Sequence, residues 1–148
     1  MSSDAQKKLT SRSVVIAVDR CVQICIARSE ACTAAADEVS DQRLRELLLD
    51  FAEKRRLEAV ALRGIVEPPG RTSGSGTRAR YPSMPQVRTD RDVLDLCTLG
   101  ETASLVDLES TFTWAPLLAM PMEVRALMLS AHGTTLRVLA ELRRFTLG

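Results

Sequence analysis

The sequence predicts an all-α fold, an antiparallel four-helix bundle with one long connection, and three observations carry that reading. Four stretches, Ser13–Val39, Asp41–Val66, Asp90–Ala115 and Pro121–Thr146, repeat apolar residues at steps of three and four. Each is about 26 residues, or roughly 39 Å of helix at 1.5 Å per residue, and helices of matched length can cover one another from end to end. The first pair and the second pair are each separated by a short break, whereas residues 67–89 are rich in Pro, Gly, Ser and Thr.

The first helix can start at Ser11 or Ser13, whose hydroxyls suit an N-cap, which leaves residues 1–12 as a tail. Its stripe is Val14, Val18, Cys21, Cys25, Arg28, Cys32, Ala35 and Val39. Ser40–Asp41 is the only break before the second helix, so the two must fold back tightly. That helix presents Leu44, Leu48, Phe51, Arg55, Glu58, Leu62 and Ile65. The third begins after Thr89, with Asp92 placed for a reciprocal cap, and its stripe is Leu94, Cys97, Glu101, Ser104 and Leu108, with Phe112 alongside. Pro121 suits the first position of the fourth helix, where no N–H is needed. Val124, Met128, Ala131, Thr135, Val138, Leu142 and Phe145 form the last stripe, and Gly133 inside it marks close packing or a bend.

Residues 67–89 could extend up to ~75 Å, more than one helix length. An up-down-up-down bundle needs only a few residues there, so this link is expected to cross the length of the bundle; a surface insertion is the competing reading. Its Arg71, Arg78, Arg80 and Arg88, with a single tyrosine among them, make a weak nucleic-acid signal. The chain of 148 residues is otherwise one domain, 13–148, large enough for a core without staples. No apolar run reaches the ~18–20 residues of a membrane span, and the N-terminus lacks a signal-peptide core. A cytoplasmic protein is expected, and a net charge of +1 gives no global pull toward nucleic acid or membrane.

With the crossover, the first and fourth helices run one way and the second and third the other. Counting from the ends then stacks side chains in layers. Arg28, Glu101 and Thr135 fall at one height, with Arg55, Ser104, His132 and Glu58 about one turn away. The core should contain a polar band of Arg28, Arg55, Glu58, Glu101, Ser104 and Thr135 between apolar layers. Buried charges are costly unless paired, so Arg28 and Arg55 are expected to neutralise Glu58 and Glu101. The alternative is that these long side chains sit at the stripe edges and reach water.

The segments AAADEVSDQRLRELLLDFAEKRRLEAVALRGIV, LGETASLVDLESTF and MPMEVRALMLSAHGTTLRVLAELRRF, with the polar link between the first two, carry a family likeness. Over residues ~14–146 the chain resembles a bacterial ferritin-like four-helix-bundle family classed as a domain of unknown function. Matching features are Gly100–Glu101 in the third helix and Pro121 before the fourth. Ala27–Arg28 departs from the family's usual Asp-Gly, and Leu108 stands where an aromatic residue is usual. The resemblance implies a ferritin-like bundle and a homodimer, and brings no activity with it.

Carboxylate-bridged di-iron sites take a Glu from each of two helices and Glu-x-x-His from each of the other two. Here Glu101 and Glu58 are present, but Ala61 replaces the histidine, Arg28 takes the first helix's stripe position, and Ala131 and Thr134 stand on the fourth. The expectation is a metal-free relic whose guanidinium groups take over the metal's positive charge, with no cofactor. The alternative is a metal-binding bundle, holding residual iron at Glu58 and Glu101 or Cu(I) on Cys21, Cys25, Cys32 and Cys97. The Cys-x-x-x-Cys spacing suits soft thiolate binding, although buried Cys also packs as a small hydrophobe. Cys97 is expected to face Cys32 across the core. His132, the only histidine, belongs to a flank of its helix, and no phosphate loop, nucleophile elbow or Cys-x-x-Cys occurs. A non-enzymatic structural or interaction bundle is the leading functional expectation.

Overall fold

The computed structural model describes residues 3–66 and 89–147, with side chains for 12–65 and 89–147. Among them are four helices: α1 (Ser3–Glu38), α2 (Gln42–Val66), α3 (Asp90–Trp114) and α4 (Met122–Arg144). One turn of 3₁₀ helix, Leu117–Ala119, joins α3 to α4. The all-α reading therefore holds, and no described helix is long and apolar enough to cross a membrane.

Boundaries differ from expectation at two places. α1 starts at Ser3 rather than Ser13. Residues 3–12 contain no Pro or Gly, and Ala, Gln, Lys and Leu favour helix, so a serine hydroxyl alone does not stop it. Pro121 is the N-cap of α4 rather than its first helical residue, with an extended ψ of 148°. The Thr89 cap forms as read: its hydroxyl accepts from the Asp92 N–H at 3.2 Å, and Asp92 Oδ2 accepts from the Thr89 N–H. At α2, Asp41 Oδ1 accepts from the N–H groups of Arg43 and Leu44.

α1 packs on α2 and α3, and α4 closes the bundle against the same two helices. The ends can be matched through Asp90. Its two carboxylate oxygens accept from the N–H groups of Ser40 and Asp41 at 2.8 Å each, which seats the start of α3 on the α1–α2 junction. At the far end Val14, Val18 and Leu62 pack with Ala115, Met120 and Val124. α1 and α4 thus run one way, α2 and α3 the other. The expected crossover path, with Arg71, Arg78, Arg80 and Arg88, lies outside the described residues.

The stripes form two apolar clusters. One gathers Val14, Val18, Cys21, Cys25, Leu62, Leu108, Met128 and Ala131. The other gathers Cys32, Val39, Leu44, Leu48, Val93, Cys97, Val138 and Leu142 near the Asp90 end. One stripe position, and the close-packing reading of Gly133, fail. Ile65 is 37% exposed, because α2 is ending there. A Cβ on Gly133 would meet nothing within 4 Å, so that glycine marks no close packing.

Candidate functional site

Between the two apolar clusters lies a band of buried polar side chains. Arg55 and Glu101 are 0% exposed, and Glu58 and Ser104 are 8%. Helical spacing explains their position: Arg55 and Glu58 occupy stripe places on α2, as Glu101 and Ser104 do on α3.

Glu101 is held from two sides. Arg28 Nε on α1 donates to Oε2 at 2.7 Å, and Arg55 Nη2 on α2 donates to Oε1. Charge-assisted bonds of this kind are about twice as strong as neutral ones. Arg28 reaches Glu101 by lying flat on the backbone of α3 at Gly100. A Cβ there would stand 2.8 Å from the Arg28 Cζ and 2.9 Å from Nη2, with Nη1 nearer still. The Gly100–Glu101 pair therefore works as a unit, the glycine clearing the path to the carboxylate.

Glu58 departs from the expected pairing. Among the described residues no guanidinium bonds to it; Oε2 accepts from the hydroxyls of Thr134 and, at 3.3 Å, Ser130, both on α4. Its Oε1 and the Arg55 Nε and Nη1 are buried without hydrogen-bond partners among the described residues. Burial raises the pKa of Glu58, and the Thr134 hydroxyl, the Arg55 charge, the Ser130 hydroxyl and Lys54 offset this in part. Arg55 leans across the bundle to α3 rather than along its own helix. Thr134 and Ser130 are thus site residues that the stripe reading missed, because the α4 stripe runs through Ala131 and Thr135. Thr135 is buried but donates to the Ala131 carbonyl at 3.0 Å, so it takes no part in the carboxylate network. Ser104 has no hydrogen-bond partner among the described residues and lines an α1–α3 groove.

The four cysteines are free and buried, and they do not converge. Cys21 and Cys25 belong to one apolar cluster, Cys32 and Cys97 to the other. Burial pushes Cys32 up to about 12 and Cys97 up to about 11; Cys21 rises well above the ordinary thiol range through its hydrogen bond with Cys25 and then burial. No group of three or more His, Cys, Asp or Glu able to hold a metal occurs among the described residues. For residual iron, both oxygens of Glu101 already face guanidinium groups, and Glu58 is engaged by α4 hydroxyls. His132 lies at the flank of α4, edge-on to Phe112 and 3.5 Å from Glu109 Oε2.

Compared with protein-family models, curated proteins and solved structures, the chain has no match in any of the three.

Proposed function

We propose that this protein is a non-enzymatic, ferritin-like helical bundle that works as a structural or binding component of the cytoplasm, as a homodimer, with an arginine–glutamate cluster at the level where related bundles seat metal. The observation that carries the reading is Glu101 held between Arg28 and Arg55, which satisfies a buried carboxylate without any metal. Arginine suits the task because it stays protonated and offers a planar fork of donors. The link 67–89 is read as the bundle's crossover; the seating of Asp90 on the α1–α2 junction supports that path. Membership of the ferritin-like family of unknown function rests on the Gly100–Glu101 pair and Pro121.

Metal analysis of protein purified from cells grown with added iron, and separately with added copper, tests the proposal. The expected result is substoichiometric metal in both, with Glu101→Ala leaving the metal content unchanged while lowering the melting temperature. Stoichiometric iron lost on changing Glu101, or copper lost on changing Cys21 and Cys25, would replace it with the metal-binding reading.

A further inference from the structure

Along the α1–α3 face runs a half-open groove of about 720 Å³, lined from Ile16 to Ala35 on α1 and from Leu96 to Asp107 on α3. Small residues line its middle, Ala27 and Ala31 on α1 and Gly100 and Ala103 on α3. Beside it stands a ridge. Leu96, Leu99, Ala103 and Val106 follow at steps of three and four, which puts them along one side of α3. Leu99 is 67% and Val106 61% exposed. A two-fold interface requires one patch to serve both copies as knob and as hole, and a hollow of small side chains next to a row of protruding large ones does so.

The groove differs along its length. Toward the Asp90 end it is lined by Ala31, Ala35, Leu96 and Leu99, and toward the other end by Asp19, Arg20 and Asp107. Arg28 opposite Glu101 sets the register of α1 against α3, so Ala31 stands level with Leu99 and Arg20 with Asp107, within ~3 Å along the axis. This asymmetry selects the symmetry axis. A two-fold parallel to the helices lays α3 of each copy over α1 of the other at unchanged height. The partner's Leu99 then meets Ala27 and Ala31, and the partner's Asp107 meets Arg20. A two-fold across the helices would instead press Leu96 and Leu99 onto Asp19, Arg20 and Asp107, burying charge against apolar side chains.

Area is sufficient for such a pair. The face is roughly 29 Å long at 1.5 Å per residue and two helices wide, ~18–20 Å at an interaxial spacing of ~8–10 Å. That makes a footprint of roughly 550 Å² on each copy, or about 1,100 Å² in total, above the ~1,000 Å² expected of a specific interface.

We propose that this face joins two copies of the chain about a two-fold axis parallel to the helices, with the Leu99 of each seated on Ala27 and Ala31 of the other. The interface rests on the homodimer proposed above and is independent of what the arginine–glutamate cluster replaced.

Sedimentation equilibrium of the full-length protein tests it, and the parent is expected to be a dimer. Leu99→Asp should raise the dissociation constant by about thirtyfold or more, the scale of a central hot spot. Its helical content by circular dichroism should stay that of the parent, because the side chain is exposed in the single chain. Val106→Asp, on the same ridge, should weaken the dimer likewise. Leu136→Asp, at a 47% exposed position on α4, should leave it unchanged. Charge gives a sharper readout. Arg20→Asp and Asp107→Arg each set like charges across the interface and should weaken self-association, whereas an equimolar mixture of the two variants should form a heterodimer of near-parent affinity. A dimer untouched by both ridge variants, one dissociated by Leu136→Asp instead, or a mixture without heterodimer would overturn this face and leave the homodimer standing. A monomeric parent would overturn both, and destabilisation of that monomer by Leu99→Asp would assign the groove to residues 67–88 of the same chain. Metal content plays no part in these readouts, so failure here leaves the cluster reading standing.

Discussion

Glu101 and Glu58 interrupt apolar stripes at neighbouring heights of one bundle, yet the protein satisfies them in opposite ways. Glu101, on the α1–α3 side, is fully buried and gripped by two cations. Glu58, on the α2–α4 side, has two hydroxyls on one oxygen and, among the described residues, no hydrogen-bond donor on the other. The first arrangement keeps a charge where apolar packing would otherwise be expected. The second tolerates a carboxylate that burial pushes toward protonation. Proximity to charge of opposite sign in the sequence does not decide which partner a buried acid takes; the reach and direction of the arginines do.

Removing each acid separates the two cases, and the largest effect belongs to Glu101. Glu101→Ala leaves the fully buried Arg55 and the largely buried Arg28 without their carboxylate, and should cost ~3–5 kcal/mol in urea denaturation. Replacing Arg28, Arg55 and Glu101 together by apolar residues of similar volume should be far milder. A double-mutant cycle on Arg28 and Glu101 with additive losses would show that the two do not interact.

Gly100 sharpens the same comparison by sign. In the parent, Gly100→Ala displaces the Arg28 guanidinium and forfeits a charged hydrogen bond worth ~1.5–3 kcal/mol, against a helix gain near ~1 kcal/mol. The net expectation is a loss of about 1–2 kcal/mol. In an Arg28→Ala background the obstruction is gone, and the same change should stabilise. Denaturation midpoints that move the same way in both backgrounds would sink this account. Gly133 is the control on the other side of the bundle: its Cβ position is open, so Gly133→Ala should stabilise by ~1 kcal/mol.

The smallest shift is expected at Glu58, and its sign depends on pH. Its folded-state pKa lies above the unfolded value because of burial. Between the two, the folded state holds more protons, so stability falls as pH rises through that window and the cost is complete above it. Glu58→Gln should therefore raise the melting temperature at neutral pH, and the gain should vanish below the ordinary carboxylate range. The amide gives up the Arg55 attraction, which keeps the effect modest. A destabilised variant at neutral pH would show that the charge contributes more than its burial costs.

Much of this arrangement was legible in the spacing of residues. Stripe positions on α1 and α3 placed Arg28 beside Glu101, because helical repetition fixes the buried face and counting residues from the helix ends gives the height along the axis. Thr134 and Ser130 escaped that reading for a physical reason. Each lies one position before a residue of the Ala131–Thr135 stripe, and small hydroxyl residues there look the same on a solvated face as against a buried acid. The N-terminal extension of α1 was hidden because serine caps are permissive rather than compulsory.

Stripes of repeating apolar residues have a weakness: a helix that slides by one turn, ~5.4 Å, can find another set of apolar neighbours. Asp90 and Glu101 lie on α3 eleven positions apart, roughly 16 Å along its axis, and each is tied to a different part of the molecule. One grips the α1–α2 junction and the other meets Arg28 and Arg55. Together they act as a vernier. A slip that left every apolar contact tolerable would break both marks at once, stranding buried charge at one and backbone donors at the other. Alignment of α3 in the bundle is thereby specified by two polar fixtures rather than by the apolar core, whose repeats cannot tell one turn from the next.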